Sequence, residues 1–355
     1  MKILVAMSGG VDSSVAAILL KDQGHQVIGA TLKLFCYSET AGVDSSCCSQ
    51  ESIQVAASVA SRLGFPHYIM DMERDFEEAV IQDFISEYLR GQTPNPCVVC
   101  NTKIKFGVLL ERALALGCDG IASGHYARVV KGEREFRLFK GRDSRKDQSY
   151  ALWGLTQEQL SRTAFPLGDL TKEEVRAKAR FLDLRNADRP ESQEICFVPD
   201  GDYAAFVARR VPQISGGEIV DRFGQTLGRH AGIVRYTIGQ RSGLGVALGY
   251  PVYVTAIRPE TNQLQVGEEE ELLKTECWVE RVHWISGRPL QAQIRAFCKI
   301  RYQHTGEMAD LEPAGEQVHL RFHQPVRAVA PGQSAVFYDG EELLGGGIIS
   351  SKPIG

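Results

Sequence analysis

Lys2-Ile3-Leu4-Val5-Ala6-Met7-Ser8-Gly9-Gly10-Val11-Asp12-Ser13-Ser14 is the stretch that decides the fold. The run 2–7 is short and apolar, Ser8-Gly9-Gly10 interrupts it, and 13–23 has helical spacing. A strand that turns through glycines into a helix is built to approach an anion. Glycine tolerates positive φ and lets the backbone come close. The helix N-terminus offers unpaired N–H groups and a partial positive charge. Ser8 and Ser13 add hydroxyl donors. Asp12 has the wrong charge for a phosphate, so Mg²⁺ coordination or capping of the helix is its expected role. No lysine follows in the Gly-x-x-x-x-Gly-Lys-Ser/Thr manner, and there is no Gly-x-Gly-x-x-Gly of a dinucleotide-binding dehydrogenase. A plain strand–helix turn with a capping Asp is the alternative that a lone Gly-Gly pair would leave open.

Outward from this loop, the first 200 residues alternate. Strand-like segments at 26–34, 67–70 and 120–123 are interleaved with helix-like segments at 51–63, 74–89 and 104–116. In 74–89, Phe76, Val80, Phe84 and Tyr88 recur at steps of four. This order predicts an α/β domain with a doubly wound parallel sheet. Ligands of such sheets bind beyond the carboxyl ends of the strands, where Ser8-Gly9-Gly10 and Ser123-Gly124-His125 both fall. After about residue 200 the pattern turns to short strands and glycine turns. Segments 251–257 and 263–266 read as a hairpin, and 291–302, 318–322 and 335–338 as strands. The expected domains are 1–204, carrying the phosphate loop, 205–275, a small β-rich unit, and 276–355, a C-terminal β-barrel. The acidic run 268–271 reads as a surface linker.

A 43% hydrophobic share is too high for a disordered chain. No apolar stretch approaches the roughly 20 residues that span a bilayer, and the N-terminal run is too short for a signal peptide. A soluble, cytoplasmic protein without membrane association is therefore expected. The net charge of −4 is no global argument for nucleic acid. Locally, 39–90 holds ten acidic against three basic residues, 131–189 fourteen basic against ten acidic, and 209–241 six basic against two acidic. A polyanion would settle on the latter two; ordinary solvated faces explain them equally well.

Nine cysteines are many for a compartment that keeps thiols reduced. Cys36, Cys118, Cys277 and Cys298 have apolar or alternating neighbours and read as packing residues. Cys47-Cys48, Cys97, Cys100 and Cys196 fall in polar or Pro/Gly-flanked segments read as loops. Asn95-Pro96-Cys97-Val98-Val99-Cys100-Asn101 is a C-x-x-C, and Cys196 lies in Ser192-Gln193-Glu194-Ile195-Cys196-Phe197. Structural zinc would need a fourth ligand from His125 or Cys47/Cys48. A sulfur-carrying redox pair would need a neighbouring cation, with Arg189 and Lys103 near in sequence. A 4Fe–4S cluster could sit on Cys97, Cys100 and Cys196 with one open iron. Ordinary loop cysteines are the fourth reading.

The hexapeptide Ser8-Gly9-Gly10-Val11-Asp12-Ser13 resembles the PP-loop of ATP pyrophosphatases, which form adenylates and release pyrophosphate. End to end, the chain resembles the bacterial tRNA-specific 2-thiouridylases, the MnmA family. The resemblance is carried by residues 6–13, by Asn95-Pro96 with Cys100-Asn101, by Ile121-Ala122-Ser123-Gly124-His125-Tyr126, by Lys146-Asp147-Gln148-Ser149-Tyr150, by Ile195-Cys196-Phe197 and by Thr237-Ile238-Gly239-Gln240-Arg241.

The resemblance implies ATP, with Mg²⁺, held by Ala6, Met7, Ser8, Gly9, Gly10, Val11, Asp12 and Ser13, with Leu32 and Gly124 beside it. It implies a wobble uridine in tRNA for Lys, Glu or Gln, adenylated on O2. Cys196 matches the carrier of a persulfide and Cys100 the nucleophile that breaks it, leaving a transient 100–196 disulfide. Asn95, Pro96 and Cys97 match residues lining the target base. His125, Lys146, Asp147, Gln148, Arg301, Tyr302 and Gln333 match tRNA contacts. A cysteine desulfurase or sulfur-relay protein is the implied donor. Some family members have Asp at the position of Cys97, and the extra thiol here resembles the three-cysteine site of cluster-dependent tRNA thiolases. Without the resemblance, His125 reads as a core or turn histidine, 146–148 as a polar loop and Arg301-Tyr302 as a strand end. A PP-loop ligase for a small molecule and a non-catalytic RNA-binding protein are the rival functions. The former predicts no need for Cys100 or Cys196, the latter no pyrophosphate release.

Overall fold

The computed structural model describes residues 1–35, 50–188, 195–198, 200–211 and 213–350. Cys36, Cys47, Cys48 and Arg189 lie outside them. The expected alternation appears as β1 (Lys2–Ala6), α1 (Val11–Asp22), β2 (Gln26–Lys33), α2 (Gln50–Leu63), β3 (His67–Asp71) and, after a long helical segment, β4 (Gly120–Ala122). A hairpin, β5 (Ala127–Lys131) and β6 (Phe136–Lys140), precedes the two-residue strand β7 (Thr163–Ala164). The sheet is parallel, in the order β3-β2-β1-β4-β7. From β1 the chain moves outward through β2 and β3, then returns to β4 on the other side. The gap between β1 and β4 is thus the switch point of the sheet, where a crevice opens beyond the strand ends.

Helices cover both faces. On one, α1, α2 and the helix Lys172–Phe181 bury Val15, Ile18, Val59, Ala60 and Val175. Each fully buried Val or Ile side chain is worth about 1.5–3 kcal/mol over an exposed one. On the other, the segments 73–89 and 96–115 bury Phe76, Val80, Phe84, Ile104 and Leu109. In 73–89 the apolar residues step by four. Four residues turn an α-helix about 400°, so the stripe would drift about 40° per step. The π-turn at Glu77–Ile81 winds more slowly and keeps Phe76, Val80, Phe84 and Tyr88 inside.

One expectation is overturned here. The C-x-x-C is not in a loop: a helix begins at Pro96, passes through a π-helical stretch at Cys100–Val108 and ends at Ala115. Proline is compatible with a first helical turn, where its missing N–H is no loss.

The second sheet comprises β8 (Gly217–Val220), β9 (Thr226–His230), β10 (Tyr253–Arg258) and β11 (Gln263–Gly267), in the order β10-β11-β8-β9. β10 and β11 form the expected hairpin, with Ile257 opposite Leu264. The run 268–271 is structured: Glu268 and Glu271 cap a 3₁₀ turn reciprocally, and Glu269 pairs with Arg327.

The last region is β12 (Leu273–Trp284), β13 (Ile294–Lys299), β14 (Glu307–Ala314), β15 (Gln317–Arg327), β16 (Ser334–Asp339) and β17 (Glu342–Ser350). Pairing of β12 with β17 closes these six strands into a barrel filled by Val279, Cys298, Leu311, Leu320 and Phe337. The hairpin β5–β6, absent from the expected elements, extends this sheet through β6 and β17, with Leu138 opposite Leu343. Tyr150 Oη and Trp153 Nε1 donate to Ser334 at 2.9 and 3.0 Å. These contacts root the barrel beside the 146–150 loop. No helix among the described residues is long and apolar enough to cross a membrane.

Candidate active site

The loop after β1 is held from several sides. Gly9 has φ +72, and a Cβ there would lie 2.3 Å from the Ser52 carbonyl oxygen, so only glycine fits. Ser13 Oγ accepts from the Ser8 N–H at 3.2 Å and donates to Gly10 O at 3.1 Å. Asn186, 2% exposed, donates through Nδ2 to Gly9 O at 2.8 Å and Ser14 Oγ at 3.1 Å. The turn after β4 packs onto the start of α1. A Cβ on Gly124 would come within 2.8 Å of Asp12 C and Ser13 N.

Asp12 does not cap α1. Gly10 occupies the cap position, without a side-chain hydrogen bond. Instead both Asp12 oxygens accept from Lys172 Nζ, at 2.8 and 2.7 Å, and Oδ1 also accepts from Tyr126 Oη at 2.7 Å. The Lys172 side chain is 8% exposed and that of Asp12 29%. The Lys172 ammonium also lies over the Tyr126 ring, 5.8 Å from its centroid. Asp143 accepts the Lys172 N–H, and this bond, with Arg145 nearby, holds its carboxyl below the usual range.

Lys172 was not among the sequence candidates, yet it left a signal. Thr171 and Glu174 form a capping box, so Lys172 is the first helical residue. A cation there opposes the helix dipole unless a carboxylate faces it.

Beyond the strand ends lies a cleft of about 220 Å³. It is lined by Ala6, Met7, Ser8, Asp12, Ser13, Leu32 and Gly124, and by His125 and Gln148. Gly9, Gly10 and Val11 shape the loop without lining the cleft. Leu34, Ser123 and Lys105 also line it and were not expected. Half-buried His125 meets Ser123 Oγ through Nδ1 at 2.7 Å and lies near the rings of Phe106 and Phe165. Loss of hydration, with the charge of Lys105, holds its pKa well below the ordinary imidazole value, so the ring is neutral.

The tRNA candidates cluster around one seam between the sheet domain and the barrel. Gln148 Oε1 accepts from the Tyr126 N–H at 3.0 Å. Asp147 braces its loop by accepting from Gly141 N, Ser149 N and Ser149 Oγ. Tyr302, about half exposed, donates from Oη to Asp147 O at 3.3 Å. Arg301 donates to Arg327 O. Gln333 Nε2 donates to Thr93 O at 2.9 Å and Pro94 O at 3.3 Å, which fixes the approach to Asn95 and Pro96. Lys146 is half-buried at the same loop.

The cysteines differ in depth. Cys97 is exposed, Cys100 is 8% exposed and Cys196 half-buried, each as a thiol. Cys100 belongs to the apolar cluster that contains Phe197, and Cys196 packs against the same cluster. Phe197 anchors that segment edge-on to Phe76 and Phe84. Among the described residues, no three His, Cys, Asp or Glu groups gather to hold a metal. The trio of Cys97, Cys100 and Cys196 is therefore not a ready cluster site, nor do Cys97, Cys100, Cys196 and His125 form a zinc site. Of the cations offered to a thiolate, Lys103 is exposed and lines a different cavity, of about 420 Å³. Lys105 faces the cleft instead.

Three family models match the chain. One described as a tRNA methyl transferase HUP domain covers residues 1–200, a tRNA methyl transferase PRC-barrel domain 204–268 and an aminomethyltransferase beta-barrel domain 274–349. The tRNA-specific 2-thiouridylase MnmA of Cytophaga hutchinsonii is 49% identical, over 99% of this chain and 98% of its own. That of Geobacter metallireducens is 48% identical, over 99% and 97%. A solved 4-thiouridine synthetase–RNA complex with bound ATP aligns at 16% identity and a TM-score of 0.36, over 59% of this chain and 50% of that one, a likeness too slight to bear on the reading.

Proposed function

Since this chain belongs to the tRNA-specific 2-thiouridylase family, we propose that it uses ATP to replace O2 of a tRNA wobble uridine with sulfur. The supporting observation is the meeting, in one cleft, of the phosphate loop with Gly124, Gln148 and a side chain from the helix that bears Cys100. On this reading residues 1–204 carry the chemistry, and 205–275 with 276–355 hold the tRNA.

ATP lies along Ala6–Ser13 with Leu32 and Gly124 beside it. The wobble base of a tRNA for Lys, Glu or Gln leaves its stack, since a pocket cannot reach a stacked base. It rests against Asn95, Pro96 and Cys97, while His125, Lys146, Asp147, Gln148, Arg301, Tyr302 and Gln333 hold the surrounding loop. O2 attacks the α-phosphorus, the bond to the bridging oxygen breaks, and pyrophosphate leaves with the electron pair as N3 loses its proton. The terminal sulfur of a Cys196 persulfide attacks C2, and AMP departs with the former O2. The Cys100 thiolate attacks Cys196 Sγ. The S–S bond breaks, its electron pair stays on the sulfur attached to C2, and a Cys100–Cys196 disulfide remains. A cellular dithiol reduces it by exchange. A cysteine desulfurase or sulfur-relay protein reloads Cys196.

Mg²⁺ keeps phosphate and water ligands in such sites, with one or two carboxylates. Asp12 is the candidate here, and it would exchange Lys172 for the ion. A 4Fe–4S cluster on Cys97, Cys100 and Cys196 is the less favoured sulfur route, because those thiols are not gathered.

The test is thiolation of unmodified tRNA with ATP, Mg²⁺ and, in separate arms, a cysteine desulfurase with cysteine or sulfide, by wild type, Cys97→Ser, Cys100→Ser and Cys196→Ser. Loss in the last two alone supports the persulfide route. Loss in all three supports the cluster. A Cys196→Ser enzyme unaffected both with the desulfurase and under limiting sulfide sinks both.

A further inference from the structure

We propose that Lys105 is a catalytic residue whose ammonium holds the α-phosphate of the nucleotide, and then of the adenylated base, against the cleft wall supplied by the helix that bears Cys100. The assignment rests on the adenylation reading above. Three observations lead to it.

First, among the residues lining the cleft, Lys105 is the one lysine or arginine. The loop side is built from neutral donors, Ser8 and Ser13, and from Asp12, whose charge Lys172 already balances. His125 beside it is neutral. Among the described residues that line the cleft, Lys105 is the positive side chain that an entering triphosphate meets.

Second, the helix is wound to put it there. Residues Cys100–Val108 are π-helical, with Cys100 as the first residue. In an α-helix, five residues turn about 500°, which leaves position 105 about 140° round from position 100. Position 103 would then be nearer to Cys100. In a π-turn the backbone partner of residue i is i+5, so the wider turn swings 105 back toward the side of 100. The outcome matches: Lys103 points out to the other cavity and Lys105 lines the nucleotide cleft. π-turns sit frequently at functional sites.

Third, the chemistry needs a cation at that spot. The β- and γ-phosphates leave, but the α-phosphate remains bonded to the base while sulfur attacks. A group that stays with it must lie on the sulfur side, and Lys105 shares a helix with Cys100. Its charge stabilises the phosphorane-like transition state at the α-phosphorus and then the leaving AMP.

The experiment compares full-length wild type, Lys105→Met and Lys105→Arg in tRNA-dependent pyrophosphate release, with ATP binding by calorimetry and thermal midpoints alongside. Lys105→Met should release pyrophosphate about 10²–10³-fold more slowly, the cost of removing one preorganised charge or donor. Its ATP affinity should fall by much less, and its thermal midpoint should stay near that of wild type. Lys105→Arg should recover a large part of the rate. A Lys105→Met protein that folds and releases pyrophosphate at the wild-type rate overturns the assignment, including where thiolation alone is lost, because Lys105 would then serve only the sulfur step. A wild type that releases no pyrophosphate with tRNA overturns the adenylation reading and the assignment together.

Discussion

The two halves of the proposed site, the cleft and the cysteine-bearing region, are built differently. On the nucleotide side every element is braced in place: Gly9 against Ser52, Gly124 against the first turn of α1, Asn186 on the loop carbonyl, Lys172 and Tyr126 on Asp12. On the sulfur side, Cys97 is exposed, Cys100 buried and Cys196 half-buried. Their common feature is an apolar cluster that takes in the last two. The contrast follows from what each half handles. A phosphate is a fixed shape with fixed charge, and preorganised N–H groups bind it best. On the proposed persulfide route, a thiol that receives sulfur from another protein, passes it on and is then attacked has three partners in turn. No single rigid arrangement serves all of them.

Substitutions should separate the two halves. The largest effect is expected on the sulfur side. Cys100→Ser and Cys196→Ser should each lower thiolation by about a thousandfold or more, as loss of a nucleophile does. Both should still release pyrophosphate with tRNA. Loss of pyrophosphate release in either variant would mean that the halves are not separable.

Next comes Lys172→Met. Removing one member of a buried pair strands the other charge, typically at 3–5 kcal/mol. With Asp12 partly exposed, about 3 kcal/mol of unfolding stability should be lost, read from denaturant titration of the ligand-free protein. Lys172→Met with Asp12→Asn should recover part of it. Gly124→Ala follows, with about 2 kcal/mol of overpacking at the contact with Asp12 and Ser13. Denaturant titration of the ligand-free protein should report that loss.

The smallest effect is a pH dependence. The folded-state pKa of His125 is depressed, so the unfolded state binds its proton more readily. Stability from this group is complete above the unfolded pKa of about 6.5 and is lost as pH falls below it toward the folded value. Between pH 7.5 and 5.5, His125→Gln should lose about 1 kcal/mol less than wild type, the slope being at most about 1.4 kcal/mol per pH unit. An equal loss would place the acid sensitivity on other groups, such as His67 or His230, which are also depressed.

Much of this was legible in the chain itself. Ser8-Gly9-Gly10 and Ser123-Gly124-His125 read as strand-end turns because glycine and periodicity are local properties. Nine of the residues expected from sequence, Gln148 among them, line the cleft together with Leu34, Lys105 and Ser123. The strands of the β-rich tail and their barrel were readable from alternation, and the structure closes that barrel by pairing β12 with β17 across about 70 residues. The helical setting of Cys100 escapes the sequence reading because a Pro-flanked C-x-x-C reads as a loop, whereas Pro96 starts a helix.

Local sequence is enough for a glycine-shaped loop at a strand end, for the order of strands and helices, and for the cysteines that stand apart from the apolar segments. Those follow from backbone preference and side-chain chemistry over a few residues. Only the tertiary structure decided that Asp12 is bound to Lys172, 160 residues away, and that Lys105 and not Lys103 faces the nucleotide cleft. The first depends on packing one helix against another. The second depends on a change of helical winding within Cys100–Val108, which shifts the phase of every side chain after it and leaves no mark in composition or spacing.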